Sequence, residues 1–254
     1  MSPTSAPRAP LVRLASVLLL MLVAVTLLSR LFAGRPLAGV VFGALAVDFL
    51  AGRGGVGWSW GRSGRAALRL GATTAVAAVG SAAALGLLAG QARLVGWGVD
   101  VIGLLTGGLA VIALAFRDEL WLRWAPWRLL EPHAPAWLRA LTPVAFGVAA
   151  TLGGYGFRAS AVALAAALGA LSVALLRRTE SPVASVAAAA LVRVLANPTP
   201  LGFELRWRAG ALAPLEAATG VGAWSLAAAL GVAAALVWRR GETSPDEEGE
   251  VIPR

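Results

Sequence analysis

The sequence predicts an all-α, polytopic membrane protein with about eight transmembrane helices. Of its 254 residues, 58% are hydrophobic and only 14% are charged, and the mean hydropathy is +0.76. The apolar residues form runs of about 20, the length at which a helix crosses the hydrocarbon core with all its backbone groups bonded. The alternative is a soluble helical protein with an alanine-rich core. No face of these segments is polar enough to meet water, so we set it aside.

Short arginine-bearing gaps separate the runs, which form one transmembrane domain over residues 1–240. The predicted helices cover residues 11–33, 36–51, 66–90, 95–123, 138–155, 159–176, 182–196 and 219–238. The first run could instead be a signal peptide, but it is long for one and lacks a clear cleavage site. Loops are predicted at 52–65 and 197–217. The acidic tail 241–254 has the composition of a disordered segment.

All basic residues are arginines, and they lie singly or in pairs at the ends of apolar runs. This pattern is typical of membrane orientation and not of a nucleic-acid-binding stripe. With eight helices and both termini in the cytoplasm, 14 arginines fall inside and 6 outside, with Arg117 and Arg193 left out because they lie within helices. The use of arginine alone with much Ala, Gly, Leu and Val suggests a bacterium with a GC-rich genome. We therefore expect a multi-pass protein of the cell inner membrane, with membrane lipid as a partner.

Composition excludes several kinds of chemistry. There is no cysteine and one histidine, His133, in a predicted proline-rich loop. Disulfides, thiolate nucleophiles and a zinc site are therefore not expected. A serine hydrolase would need a histidine partner that the helices do not supply. No cofactor or metal is predicted.

Acidic residues in membrane helices are costly and therefore informative. Asp48 and Asp100 lie near predicted helix ends, which is the ordinary position for a charge. Asp118 and Glu119 are adjacent at the end of an apolar run, and Arg123 follows Glu119 by four residues, the spacing at which a helical ion pair forms. Spacing alone leaves a structural ion pair and a catalytic pair both open.

The segment Asp118-Glu119-Leu-Trp-Leu-Arg123 resembles the Glu-Glu-x-x-x-Arg motif of the CPBP family, the CAAX-protease and bacteriocin-processing intramembrane proteases. The resemblance covers residues 58–196 and depends more on the order of features than on exact motifs. The family's Phe-x-x-x-His motif aligns with Phe146 and Ala150. Its His-x-x-x-Asn motif aligns with Ala189 and Arg193. The resemblance implies that these residues face the carboxylates and the substrate.

The departures from the family pattern concern catalysis. In the family, the leading Glu activates water, the histidines assist, and the last motif stabilises the oxyanion. Here both histidine positions are alanine, at Ala150 and Ala189, so the resemblance implies a degenerate site. General acid–base catalysis by a carboxylate without such partners is expected to be poor.

We therefore expect a CPBP-like protein with a degenerate active site that binds a hydrophobic peptide or a membrane-anchored protein partner. Three alternatives stay open. One is an active glutamic-type endopeptidase that uses Glu119 or Asp118. Another is a transporter or channel subunit in which Asp48, Asp100 and Glu119 line a polar path. The third is a scaffold subunit of a complex.

Overall fold

The computed structural model describes four positions of the first predicted helix and then most of the chain from residue 62 to residue 240. The described residues are 15, 16, 19, 23, 62–97, 101–131, 134–155, 157–195, 203–207, 210–211 and 221–240. The predicted second helix, Asp48, Asp100, His133 and the tail 241–254 lie outside them, as does most of the first helix.

The described part is largely helical, which confirms the predicted fold class at that level. The helices are α1 (Arg62–Leu88), α2 (Val101–Asp118), α3 (Ala125–Leu130), α4 (Ala136–Tyr155), α5 (Ala159–Thr179), α6 (Pro182–Leu195) and α7 (Val221–Arg240). A π-helical turn, Glu119–Trp124, joins α2 to α3. By length and composition, four helices are candidate membrane spans: Ser63–Leu88, Ala136–Gly153, Ala159–Thr179 and Gly222–Arg240. Helix α6 is apolar but shorter.

Helices α1, α5 and α7 extend beyond the bounds predicted from hydropathy into arginine-bearing residues, and α4 begins two residues earlier than predicted, at Ala136. Helix α1 begins at Arg62, inside the predicted loop, and α5 continues to Thr179 instead of ending at residue 176. The added residues are polar ones such as Arg65 and Arg177. Hydropathy marks the part of a helix that suits the membrane interior, whereas the helix itself continues into the polar region. Helix α5 stops at Glu180, whose φ of 49° is left-handed.

A small sheet was not predicted. Residues 95–97, predicted as the start of the fourth helix, belong to β1 (Ala92–Trp97), and α2 begins only at Val101. Strand β1 pairs antiparallel with β2 (Phe203–Trp207), which pairs with β3 (Gly210–Ala211). The partner strands lie in the predicted loop 197–217, about a hundred residues away. A short apolar run does not distinguish a strand from a helix end, and such distant pairing leaves no local signal.

Contacts between strands and between helices indicate which helix ends lie together. Strand β1, which follows α1, pairs with β2, which follows α6 in the chain. Nearer the starts of these two helices, Gly71 of α1 lies against the backbone of Ala184 of α6. At the ends of α5 and α7, the Arg177 guanidinium lies over the Trp238 ring. One end of the bundle therefore holds the starts of α1, α4 and α6 and the ends of α5 and α7. We call it the arginine-rich end, defined by Arg65, Arg69, Arg128, Arg139, Arg177, Arg178, Arg239 and Arg240. The opposite end, which holds β1–β3, is the sheet end.

Helix α6 is the centre of the main core. Its residues from Pro182 to Ala190 are buried, as is Val192. The surrounding core residues of α1, α5 and α7 are mostly alanine and leucine. Small residues let helix backbones approach closely, as membrane helices require. This central position is what carries the last-motif residues of α6 to the carboxylates of α2.

Candidate functional site

The two adjacent carboxylates lie at the junction between α2 and the π-helical turn. Asp118 ends α2 and Glu119 begins the turn. Pro126, two residues beyond the turn, has no N–H, so the regular α-helical bond to the carbonyl four residues earlier cannot form there. The sequence predicted that the helix would end at residue 123. The structure shows that it widens into a π turn and continues to Leu130, and π turns often occur at functional sites.

Asp118 is held between two arginines. Its Oδ1 accepts hydrogen bonds from Arg117 Nε and Nη2 at 2.8 and 2.6 Å. Its Oδ2 accepts one from Arg193 Nη2 at 2.6 Å. The side chain of Asp118 is 13% exposed and that of Arg193 is 20% exposed. Each carboxylate oxygen therefore already has a charged partner.

Glu119 is fully buried, and Arg123 forms the expected ion pair with its Oε1 across one helical turn. The Ser172 hydroxyl of α5 lies 3.1 Å from the same oxygen and 2.9 Å from the carbonyl oxygen of Leu168. A serine hydroxyl carries one proton and so shares it between these acceptors. Ser185 of α6 also lies close to the carboxylate. Within the described residues, Glu119 Oε2 and Arg123 Nε have no hydrogen-bond partner.

One stripe of α6 faces both carboxylates. Ser185, Ala189 and Arg193 are spaced by four residues, so they lie on the same side of the helix. Ser185 is near Glu119 and Arg193 binds Asp118, which places the buried Ala189 between them along the helix. The position aligned with the family's histidine therefore lies on the inner stripe and carries only a methyl group.

Helix α4 meets the site through a glycine. A Cβ at Gly147 would lie 3.3 Å from Arg123 Nη2, so this helix passes directly beside the guanidinium. Ala150 follows by three residues and lies on the same side of α4. Phe146, the other predicted residue on this helix, is half-buried next to Gly147. On α4, the residue that lies beside the Arg123 guanidinium is thus Gly147, which the sequence analysis did not select.

The site is a closed cluster of five charges. Arg117, Arg123 and Arg193 face Asp118 and Glu119, so cations exceed anions by one. Within a membrane interior such charges persist because they pair with one another. A general base must reach the proton it abstracts. Here arginines contact three of the four carboxylate oxygens, and the fourth, Glu119 Oε2, is buried.

Sequence reasoning missed three members of the cluster. Ser172 and Ser185 were set aside because no histidine accompanies them, and Arg117 was read only as a residue within a helix. Hydroxyls in otherwise apolar helices are the signal that could have identified the two serines, since buried hydroxyls need acceptors. No local feature of the sequence indicates that Ser172 lies against Glu119, which is 53 residues earlier in the chain.

Within the described part of the chain, no group of three His, Asp or Glu residues could hold a metal ion. Comparisons with protein-family models, with curated proteins and with solved structures find no match. No comparison therefore adds to the resemblance to the CPBP family that the sequence features suggest.

Proposed function

We propose that this chain is a CPBP-like membrane protein whose protease site has become a structural ion-pair cluster, and that it binds a hydrophobic peptide or membrane-anchored partner without cleaving it. The observation that carries the proposal is the engagement of both carboxylates. Arg193, at the position of the family's last-motif Asn, binds Asp118, while Arg123 and Ser172 hold Glu119.

The binding surface we propose is the outer face of α4. This helix contacts Arg123 through Gly147, yet only 11% of its span is buried, the smallest share among the four candidate spans. Its exposed side carries Trp137, Leu141 and Leu152. An apolar segment that packs there would be separated from the ion-pair cluster only by α4.

A cleavage assay tests the non-catalytic part. The purified chain in liposomes is incubated with a prenylated or membrane-anchored peptide, and we expect no more product than in protein-free liposomes. Robust turnover that Glu119→Gln abolishes, without a change in the melting temperature of the protein, would show that the site is catalytic. The unpartnered Glu119 Oε2 is the one feature that favours this second function, because it could hold a water molecule.

Crosslinking tests the binding part separately. A photoreactive amino acid at Leu141 should capture the anchored peptide, whereas the same group at Leu85 of α1, which is similarly exposed, serves as the matched control. Equal capture at both positions would contradict a specific surface on α4. The transporter alternative gains no support from the described residues, since Asp48 and Asp100 lie outside them.

A further inference from the structure

Among the residues that the structure describes, the arginine-rich end carries more basic than acidic side chains. Its eight defining arginines face two glutamates, Glu131 and Glu180, among the residues that the structure describes at this end. Glu131 is already paired with Arg128 and Arg139. The sheet end has no such excess: the charged side chains that the structure describes there are Arg93 and Arg158. The two ends therefore differ sharply in the partners they attract.

The excess is densest where α5 and α7 end together. Arg177 and Arg178 form the last turn of α5, and Arg239 and Arg240 that of α7. Each helix C-terminus supplies a partial charge of about −0.5, which attracts cations. The Arg177 guanidinium lies 4.1 Å from the centroid of the Trp238 ring, which holds its plane in place.

An apolar strip leads along the outside of α7 to these arginines. Val232 and Leu236 are 61% and 54% exposed, and Arg240 follows at the same four-residue spacing. The three side chains therefore lie on one side of the helix. A molecule with an apolar tail and an anionic head matches this strip and its charged end.

We propose that the ends of α5 and α7 bind the phosphodiester headgroup of an anionic phospholipid, with an acyl chain along Val232 and Leu236. Arginine binds phosphate oxygens in a bidentate manner, and tryptophan prefers the level of the headgroups. Basic residues near an anionic leaflet each contribute to binding. This lipid site is separate from the ion-pair cluster and holds whether or not the chain cleaves peptides.

The experiment titrates the purified full chain, in mild detergent, with mixed micelles that contain phosphatidylglycerol or phosphatidylcholine. The readout is the rise in melting temperature and the lipid concentration at half of that rise. The double variant Arg178→Gln/Arg240→Gln removes two charges at the site. The matched control, Arg93→Gln/Arg158→Gln, removes two from exposed or half-exposed positions of the sheet end.

We expect phosphatidylglycerol to stabilise the wild type and the control at the same concentration. The site variant should need about 30-fold more phosphatidylglycerol for half of the rise in melting temperature, since each arginine near an anionic surface contributes roughly fivefold to the affinity. The single variant Arg178→Gln should need about fivefold more, which keeps the test valid if the double variant folds poorly. Equal effects of the two lipids, equal loss in the control variant, or stabilisation by inorganic phosphate alone at matched concentration would each overturn the proposal.

Discussion

At the scale of single residues, Arg193 shows how a charge within an apolar helix is tolerated. An arginine in a membrane helix is costly, and the family resemblance implies that Arg193 faces the carboxylates, so a pair with Asp118 or Glu119 is expected. The structure places Arg193 in the last turn of α6. The structure selects Asp118, with Arg193 Nη2 and Asp118 Oδ2 at 2.6 Å. Glu119 instead takes Arg123. The cluster is therefore two pairs with an additional cation, Arg117, beside Asp118.

Removing Arg193 should destabilise the protein. Arg193→Ala leaves Asp118 with Arg117 alone, so we expect a loss of about 1–3 kcal/mol, below the roughly 3–5 kcal/mol typical when a buried charge loses its only partner. Adding Asp118→Asn should recover part of the loss, whereas adding Glu119→Gln should not, because Glu119 pairs with Arg123. Thermal unfolding in detergent measures all three variants.

Arg65→Ala is the matched control, since Arg65 is exposed on α1 and its removal should leave the melting temperature within a degree or two. A wild-type melting temperature for Arg193→Ala would mean that the pair contributes nothing. Rescue by Glu119→Gln instead of Asp118→Asn would mean that the two carboxylates exchange partners.

At the scale of the elements, the contact between α1 and α6 depends on one glycine. A Cβ built on Gly71 would lie 2.0 Å from the carbonyl oxygen of Ala184, a backbone atom that cannot move aside on its own. Helix α6 is the central helix of the core and carries Ser185 and Arg193 to the carboxylates. Displacing it would therefore change the site as well as the packing.

Gly71→Ala should lower the free energy of unfolding by about 1–3 kcal/mol, the usual range for overpacking a core. Gly80→Ala in the same helix is the matched control, because a Cβ there meets nothing within 4 Å. It should be neutral or stabilise by up to about 1 kcal/mol, since alanine is the better helix former. Thermal unfolding of the two variants side by side tests the contact, and equal melting temperatures would contradict it.

At the scale of the whole molecule, the alternating directions of the helices place the arginine-rich end opposite the sheet end. Arginine is enriched on the cytoplasmic side of membrane proteins. The proposed binding of anionic lipids favours the same orientation, because the negative surface potential of the cytoplasmic leaflet attracts basic segments. Both arguments predict that the end of α7 lies in the cytoplasm.

Reporter fusions test this orientation. A reporter after Arg240 should be active as a cytoplasmic fusion, and one in residues 208–209, between β2 and β3, should report the outside. Neutralising arginines at the sheet end should leave both results unchanged. A cytoplasmic result for the fusion between β2 and β3 would reverse the orientation of the described helices.

The sequence by itself determined that the described part of the chain is helical and apolar enough for a membrane, and approximately where its last four helices lie. It also identified Asp118, Glu119, Arg123 and Arg193 as the charges that need an explanation. These conclusions follow from local properties. Run length reflects the thickness of the hydrocarbon core, and a four-residue spacing places Glu119 and Arg123 on one side of a helix.

Only the tertiary structure decided which partner each charge takes. The pairing of Arg193 with Asp118, the approach of Ser172 to Glu119 and the passage of Gly147 beside Arg123 join helices distant in sequence. The strand β1 likewise forms only because β2 lies next to it. Local hydropathy contains no term for such contacts, since their energies depend on how helices pack, and packing here is set by small residues such as Gly71 that permit close approach.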